Sequence, residues 1–381
     1  MPYKQELTYK TEMDVRRVDR LRQLERELPA VCTDFFRSVA HTTSTLTRLA
    51  YAYDYRLFFD YLQKENPAFA DAPIPLWGEK ELSQITVRDI DGYQDYLSQY
   101  FDKNRSLVQN HELGIMRKLC SLRSLFEYLF RMGHVPANIT TLVALPKLHE
   151  KPILRMTPEE MEKMLLSVQS GEGLTDRQQA FAQLTAKRDT AILLMFLGTG
   201  IRVSELVGID LNDLDFSQNA FQVTRKGGNQ AILYFPEQVA QALQAYLTER
   251  RQITPREGHE QALFLSLQKK RITQRAVENL VKKYALAAAP LKKRLSPHKL
   301  RSTFGTNLYQ ETGDIYLVAD VLGHSDVNTT RRHYAAMTDQ HRREAAKRIV
   351  LPGGASNEEP LPTETNDRNG AINSNGSQPS E

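Results

Sequence analysis

Arg202, Lys226, His298, Arg301, His324 and Tyr334 follow one another through residues 200–335. As side-chain types they suit one reaction. Guanidinium groups grip two phosphate oxygens at once and neutralise a phosphodiester. A phenol can attack phosphorus, while a lysine or histidine hands a proton to the leaving sugar oxygen. A free phenol has a pKa of about 10, so it needs cationic neighbours to ionise near neutrality. Those cations stabilise the charge of the transition state as well. The chemistry this set suggests is the cutting and rejoining of DNA strands.

Each residue taken alone has a commoner explanation. Arg202 stands after Gly198-Thr199-Gly200-Ile201, where glycines end one helix before Val203-Ser204-Glu205-Leu206. By itself it reads as a surface arginine paired with Glu205. Lys226 heads the turn Lys226-Gly227-Gly228-Asn229, with Arg225 beside it as a competitor for the same role. By itself it is a solvated turn lysine. His298 and Arg301 follow Ser296-Pro297, a helix start, and residues three apart share a helix face. A helix N-terminus also favours an anion. Gly323-His324-Ser325 reads as a turn between helices, and Tyr334 alone would be a half-buried core tyrosine. The order and spacing of the whole set decide against these separate readings. The sequence has no metal-ligand cluster, Walker loop or Gly-x-Ser-x-Gly elbow to support a rival site.

The elements that must position these residues are mostly helical. Leu7, Val15, Val18, Leu21, Leu24 and Leu28 form one stripe of an amphipathic helix over 6–28. An aromatic-rich helix is expected over 43–63, a loop at Pro73 and Pro75, and helices over 86–101 and 109–132. Arg117, Lys118 and Arg123 on the last of these are candidate DNA contacts; a merely solvated face is the alternative. Pro146 to Pro152 reads as a basic linker. Thr157-Pro158-Glu159-Glu160 then opens a helix, with cap, proline and capping-box glutamate in place. An apolar helix over 187–198 is closed by Gly198 and Gly200. Strands over 220–225 and 230–235 flank the hairpin turn. Helices follow near 237–251, 273–288, 297–312 and 315–322, then a short one holding Tyr334 and a last one over 339–349. The expected fold is mainly α with a small antiparallel β-hairpin. Its divisions are an arm (1–28), a helical domain (29–145), a linker (146–156), a catalytic domain (157–350) and a disordered acidic tail (351–381).

Composition agrees with a polyanionic partner. The net charge of the 381 residues is +4, but residues 352–381 hold five acids and one base, a net −4, so the other 351 residues carry +8. Cys32 and Cys120 lie in apolar helical patterns, so both are expected as buried free thiols. The sequence shows neither an apolar signal core nor a run suited to crossing a bilayer, which leads to the expectation of a cytoplasmic protein without membrane insertion.

From about residue 30 to 349, and most strongly over 195–335, the chain resembles the tyrosine recombinase (phage integrase) family. It is most like the Xer chromosome-dimer resolvases, in particular the single-recombinase XerS type. The stretches behind that are the leading helix to Leu28 with Tyr55-Arg56-Leu57-Phe58-Phe59, the run Val223-Thr224-Arg225-Lys226-Gly227-Gly228, and Pro297-His298-Lys299-Leu300-Arg301. The resemblance implies that Tyr334 is the nucleophile, forming a 3′-phosphotyrosyl link. It implies that Arg202 and Arg301 clamp the phosphate, that Lys226 is the general acid, that His298 assists proton transfer and that His324 hydrogen-bonds the phosphate. It implies a two-domain C-shaped clamp, with a SAM-like core-binding domain, closed around double-stranded DNA. A homotetramer would form on two dif-like sites, with the helix over 339–349 docking on a neighbour. Activation by an FtsK/SpoIIIE-type translocase, a place on the nucleoid, and no need for cofactor, metal or ATP are implied too. Ser302 stands where many relatives have a second histidine. Tyr334 is ten residues after His324, one more than is common in Xer proteins, and Ala335-Ala336 replaces the usual histidine after the tyrosine. A one-residue bulge would accommodate the spacing. The alternatives are a mobile-element integrase of the same chemistry, a relaxing topoisomerase, and a DNA-binding protein that has lost catalysis.

Overall fold

The computed structural model describes residues 9–148, 154–225, 228–292, 295–324 and 327. Lys226, Tyr334, the helices expected beyond 328 and the acidic tail lie outside the described residues.

Among the described residues the fold is mainly helical, with two small antiparallel sheets. The first half comprises α1 (Tyr9–Glu25), α2 (Ala30–Ser38), α3 (Thr45–Glu65), α4 (Glu79–Ser83), α5 (Val87–Ser98), β1 (Gln99–Phe101), β2 (Leu107–Gln109) and α6 (Glu112–Arg131). Ser44 caps α3, its side chain accepting from the Thr47 amide, and Thr86 with Asp89 forms a capping box on α5. The core here is aromatic. Tyr55, Phe58 and Phe59 of α3 are fully buried with Phe35, Phe36, Tyr93 and Phe126. Burying each such ring contributes about 1.5–3 kcal/mol.

Three details depart from the sequence expectation. The helix expected to run to 101 stops at Ser98, because Gln99–Phe101 pairs with Leu107–Gln109 in a hairpin. The Pro73–Pro75 stretch is followed by a short helix, α4. Cys32 is buried, as expected, and burial pushes its thiol pKa up, but Cys120 is exposed on the outer face of α6.

The second half contains α7 (Pro158–Ser170), α8 (Asp176–Thr199), α9 (Val203–Leu206), β3 (Leu214–Asp215), β4 (Ala220–Thr224), β5 (Gln230–Tyr234), α10 (Glu237–Arg250), α11 (Gln274–Ala288), α12 (Pro297–Thr312) and α13 (Ile315–Leu322). Helix α7 opens with the capping box and proline anticipated at Thr157–Glu160. Helix α8 begins eleven residues earlier than its apolar run suggested, at Asp176. Ala191 to Phe196 of α8 are all buried, so this stretch of the helix is covered on every side. Strands β3-β4-β5 form one sheet, with Ala220 opposite Tyr234 and Thr224 opposite Gln230. A buried polar knot ties α8 to α11: Asp189 accepts from Thr185 Oγ1 at 3.0 Å, Tyr284 OH at 3.0 Å and Arg188 Nη2 at 2.7 Å. Desolvation raises the Tyr284 pKa and lowers that of neighbouring Lys283.

Each half has its own hydrophobic core, and α1 reaches both. Leu21 and Leu24 sit in the first core, while Tyr9 packs on the second. The Arg271 guanidinium lies 5.1 Å from the centroid of the Tyr9 ring. No helix among the described residues is long and apolar enough to cross a membrane.

Candidate active site

The site is assembled at the C-terminus of α13. Asp314 caps the start of this helix, and Gly323 ends it in the left-handed region at φ 59°. The last carbonyls of a helix lack internal partners and carry its negative dipole end. Here four consecutive carbonyls are taken by three arginines. Arg225 Nη1 donates to Asp320 O at 3.2 Å and Arg225 Nη2 to Val321 O at 2.9 Å. Arg301 Nη2 donates to Leu322 O, and Arg202 Nη2 donates to Gly323 O at 2.9 Å. His324 follows directly, half-buried, its amide donating to Ala319 O at 2.9 Å.

Local sequence explains how the partners arrive. Helix α8 ends at Gly200, whose φ of 62° turns the chain so that Arg202 emerges two residues on. A Cβ at Gly200 would lie 2.4 Å from Phe304 and 3.0 Å from Leu322, so glycine is what lets α12 and α13 close on this joint. Arg301 lies on α12, one turn from its start at Pro297, and is buried at 6% exposure. Its Nη1 donates to Gly200 O, so the same guanidinium ties α12 to the ends of α8 and α13. Arg202 is steadied by Glu205, which accepts from its amide at 3.0 Å and from Nη1 at 2.8 Å. His298 is exposed on the first turn of α12, and its carbonyl accepts from Ser302 Oγ at 3.0 Å.

The structure therefore gathers Arg202, Arg301 and His324, and places His298 one turn before Arg301. Carbonyl partners fix an arginine in direction without offsetting its charge, whereas Glu205 partly offsets that of Arg202. A guanidinium carries five N–H donors, which allows one group to bind a carbonyl and an anion together. Fixed cations around one point are what a transferring phosphoryl group needs. Sequence reasoning raised Arg225 only as a competitor for the role of Lys226 and took Glu205 only as an ordinary surface partner. The three-residue spacing from Arg202 was the available signal for Glu205; nothing local could reveal what Arg225 reaches, nearly a hundred residues away.

The three residues read as DNA contacts have internal partners. Arg117 makes two bonds of 2.6 and 2.7 Å to Asp54, a carboxylate at 1% exposure, and Lys118 reaches the same group at 3.2 Å. The ion pair with Asp54 holds the Arg117 pKa above its ordinary value. Arg123 donates to Thr140 O at 3.2 Å and Val143 O at 2.8 Å. The Arg117 side chain remains half exposed.

Residues 155–341 match the phage integrase family. The tyrosine recombinase XerC of Caldanaerobacter subterraneus subsp. tengcongensis is 34% identical over 334 residues, spanning 85% of this chain and 87% of that protein. The tyrosine recombinase XerS of Streptococcus pneumoniae (strain 70585) is 28% identical over 360 residues, spanning 87% and 98%. In fold the chain is similar to the XerH site-specific recombinase bound to a palindromic difH substrate, with a TM-score of 0.58, 20% identity and coverage of 89% and 88%. It is equally similar to the Tn1549 transposon integrase in complex with a circular intermediate DNA, with a TM-score of 0.59, 21% identity and coverage of 84% and 99%.

Proposed function

The chain belongs to the tyrosine recombinase (phage integrase) family, DNA strand-transfer enzymes that work through a tyrosine intermediate without ATP or metal, and we propose that it is a Xer-type resolvase acting at a dif-like site to separate chromosome dimers during cell division. Tyr334 attacks the scissile phosphate as phenolate, its proton passing toward His298. The bond from phosphorus to the 5′ oxygen breaks, and Lys226 gives that oxygen its proton. A 3′-phosphotyrosyl link and a free 5′ hydroxyl remain. Arg202, Arg301 and His324 hold the non-bridging oxygens throughout. Rejoining reverses these steps on a partner strand. The enzyme acts as a homotetramer on two sites, prompted by an FtsK/SpoIIIE-type translocase. Arg117 meets the phosphate backbone, with Lys118 and Arg123 bracing the same helix.

The observation that supports this reading best is the convergence of Arg202, Arg301 and His324, from three separate elements, on one helix end. The test is covalent trapping. A nicked suicide duplex carrying the candidate terminus-proximal site is incubated with the protein and with Tyr334→Phe. An SDS-resistant protein–DNA band lost only in the variant is expected. Binding without a band would instead mark a DNA-binding protein that has lost catalysis.

The equal likeness in fold to a transposon integrase favours one second reading, integration of a mobile element by the same chemistry. Cleavage at element ends rather than at a single site near the replication terminus would select it.

A further inference from the structure

We propose that Arg225 is a positioning residue for His324, which it sets through the last turn of α13; this rests on the recombinase reading of His324 as a phosphate donor. Arg225 stands where β4 enters its turn. Its amide donates to Asn229 O at 2.7 Å and its carbonyl accepts from the Gly228 amide at 3.1 Å, so the base of the hairpin is closed around it. From there its side chain crosses to α13. The two Nη groups take the carbonyls of Asp320 and Val321, at 3.2 and 2.9 Å.

The contact is close as well as polar. A Cβ on Gly323 would lie 2.4 Å from Arg225 Nη1, 2.5 Å from Cζ and 2.8 Å from Nε. The guanidinium thus packs directly on Gly323, which also has the left-handed φ of 59° that glycine adopts most readily. Nε itself is buried and makes no hydrogen bond. A buried donor left unmade costs stability, and Arg225 bears that cost while covering the turn that delivers His324. Its cation also meets the negative end of the α13 dipole. Arg202 and Arg301 take the next two carbonyls. Without Arg225 the Val321 carbonyl loses this partner and Asp320 O keeps the Gly323 amide at 2.8 Å, so the last turn is held less firmly on its hairpin side. His324 moves with it. A misplacement of about 1 Å is enough to slow a reaction roughly 100-fold.

The test is a double-mutant cycle in single-turnover cleavage of the suicide duplex by the full-length protein, with DNA affinity measured alongside. Arg225→Ala is expected to slow covalent complex formation about 10- to 100-fold, with DNA affinity within about threefold of wild type. In a His324→Ala background, adding Arg225→Ala should change the rate by less than about threefold, because the group it positions is gone. Arg225→Gln, whose amide can serve one carbonyl, should recover part of the rate. It carries the same cycle if the alanine variant does not fold. The proposal is overturned if the full Arg225→Ala penalty persists without His324, which would mean an independent action on the phosphate or on the leaving oxygen. It is overturned equally if the loss lies in affinity alone, the mark of a plain DNA contact. Failure of the recombinase reading looks different: no Tyr334-dependent band then forms with the wild type.

Discussion

Arg202 and Arg301 differ from Arg117 in what holds them. Arg117 gives two bonds to the buried Asp54 carboxylate, which it shares with Lys118. Arg301 is held by the carbonyls of Gly200 and Leu322, which orient it without cancelling its charge. Arg202 lies between these cases, with Glu205 on one side and Gly323 O on the other. This separates a cation oriented by backbone carbonyls from one whose charge is shared with a carboxylate. Arg301→Lys puts the argument at risk. One ammonium cannot reproduce a planar fork serving two carbonyls and a phosphate. Cleavage of the suicide duplex should fall about 100- to 1000-fold, the cost typical of losing a preorganised donor. The melting temperature should fall as well, because a carbonyl left unsatisfied costs about 1–3 kcal/mol. A variant that melts earlier but cleaves at the wild-type rate would make Arg301 scaffold only. The sequence named Arg202, His298, Arg301 and His324 by type and order. It could not tell a charged residue with a carboxylate partner from one with carbonyl partners, since Asp54 and Arg117 are 63 residues apart.

At the scale of elements, helix ends were the most legible features because their chemistry is local. Thr157 with Glu160, Gly200 at the end of α8 and the turn at Gly323 all follow from neighbouring residues. The β1–β2 hairpin was not legible. Gln99–Phe101 continues the pattern of α5, and pairing with Leu107–Gln109 is what overrides it. Nor did the sequence reveal the crowding at Gly200, which depends on Phe304 and Leu322 arriving from elsewhere. That crowding makes a prediction about two glycines with similar backbones. Gly258 has φ 79°, with nothing within 4 Å of an added Cβ, so Gly258→Ala bears only the left-handed penalty, about 1–2 kcal/mol. Gly200→Ala bears that penalty at φ 62° plus an overlap with Phe304 at 2.4 Å, about 1–3 kcal/mol more. Urea unfolding of the two variants should rank them in that order, and Gly200→Ala alone should also slow cleavage. Equal losses of stability would mean that Phe304 moves aside freely and that the joint is not tightly packed.

For the whole molecule, two properties were readable from composition and one was not. The helical class and the cationic body follow from pattern and count. That α1 runs from the first core to lay Tyr9 on Arg271 does not, because an amphipathic stripe says that a face is covered but not by what. The charge asymmetry has its own consequence. Residues 352–381 carry a net −4 and the remaining 351 residues a net +8, so the two parts act oppositely on DNA. Phosphate neutralisation releases counterions, so affinity should fall steeply and linearly in log–log terms as salt rises. The acidic stretch repels the same phosphates and competes for the same cations. Both effects are long-ranged only at low salt: the Debye length is about 10 Å at 0.1 M and about 3 Å at 1 M. Removing residues 352–381 should therefore tighten DNA binding about 3- to 10-fold at low ionic strength. The two proteins should converge as salt approaches about 1 M. Titrating a labelled duplex with each protein across a salt series measures this. A steeper slope for the shortened protein, with curves meeting at high salt, is the expected pattern. Curves that coincide at every salt concentration would mean that the acidic charges never enter the field of the DNA-binding surface, and that the +8 of the rest acts on DNA undiminished.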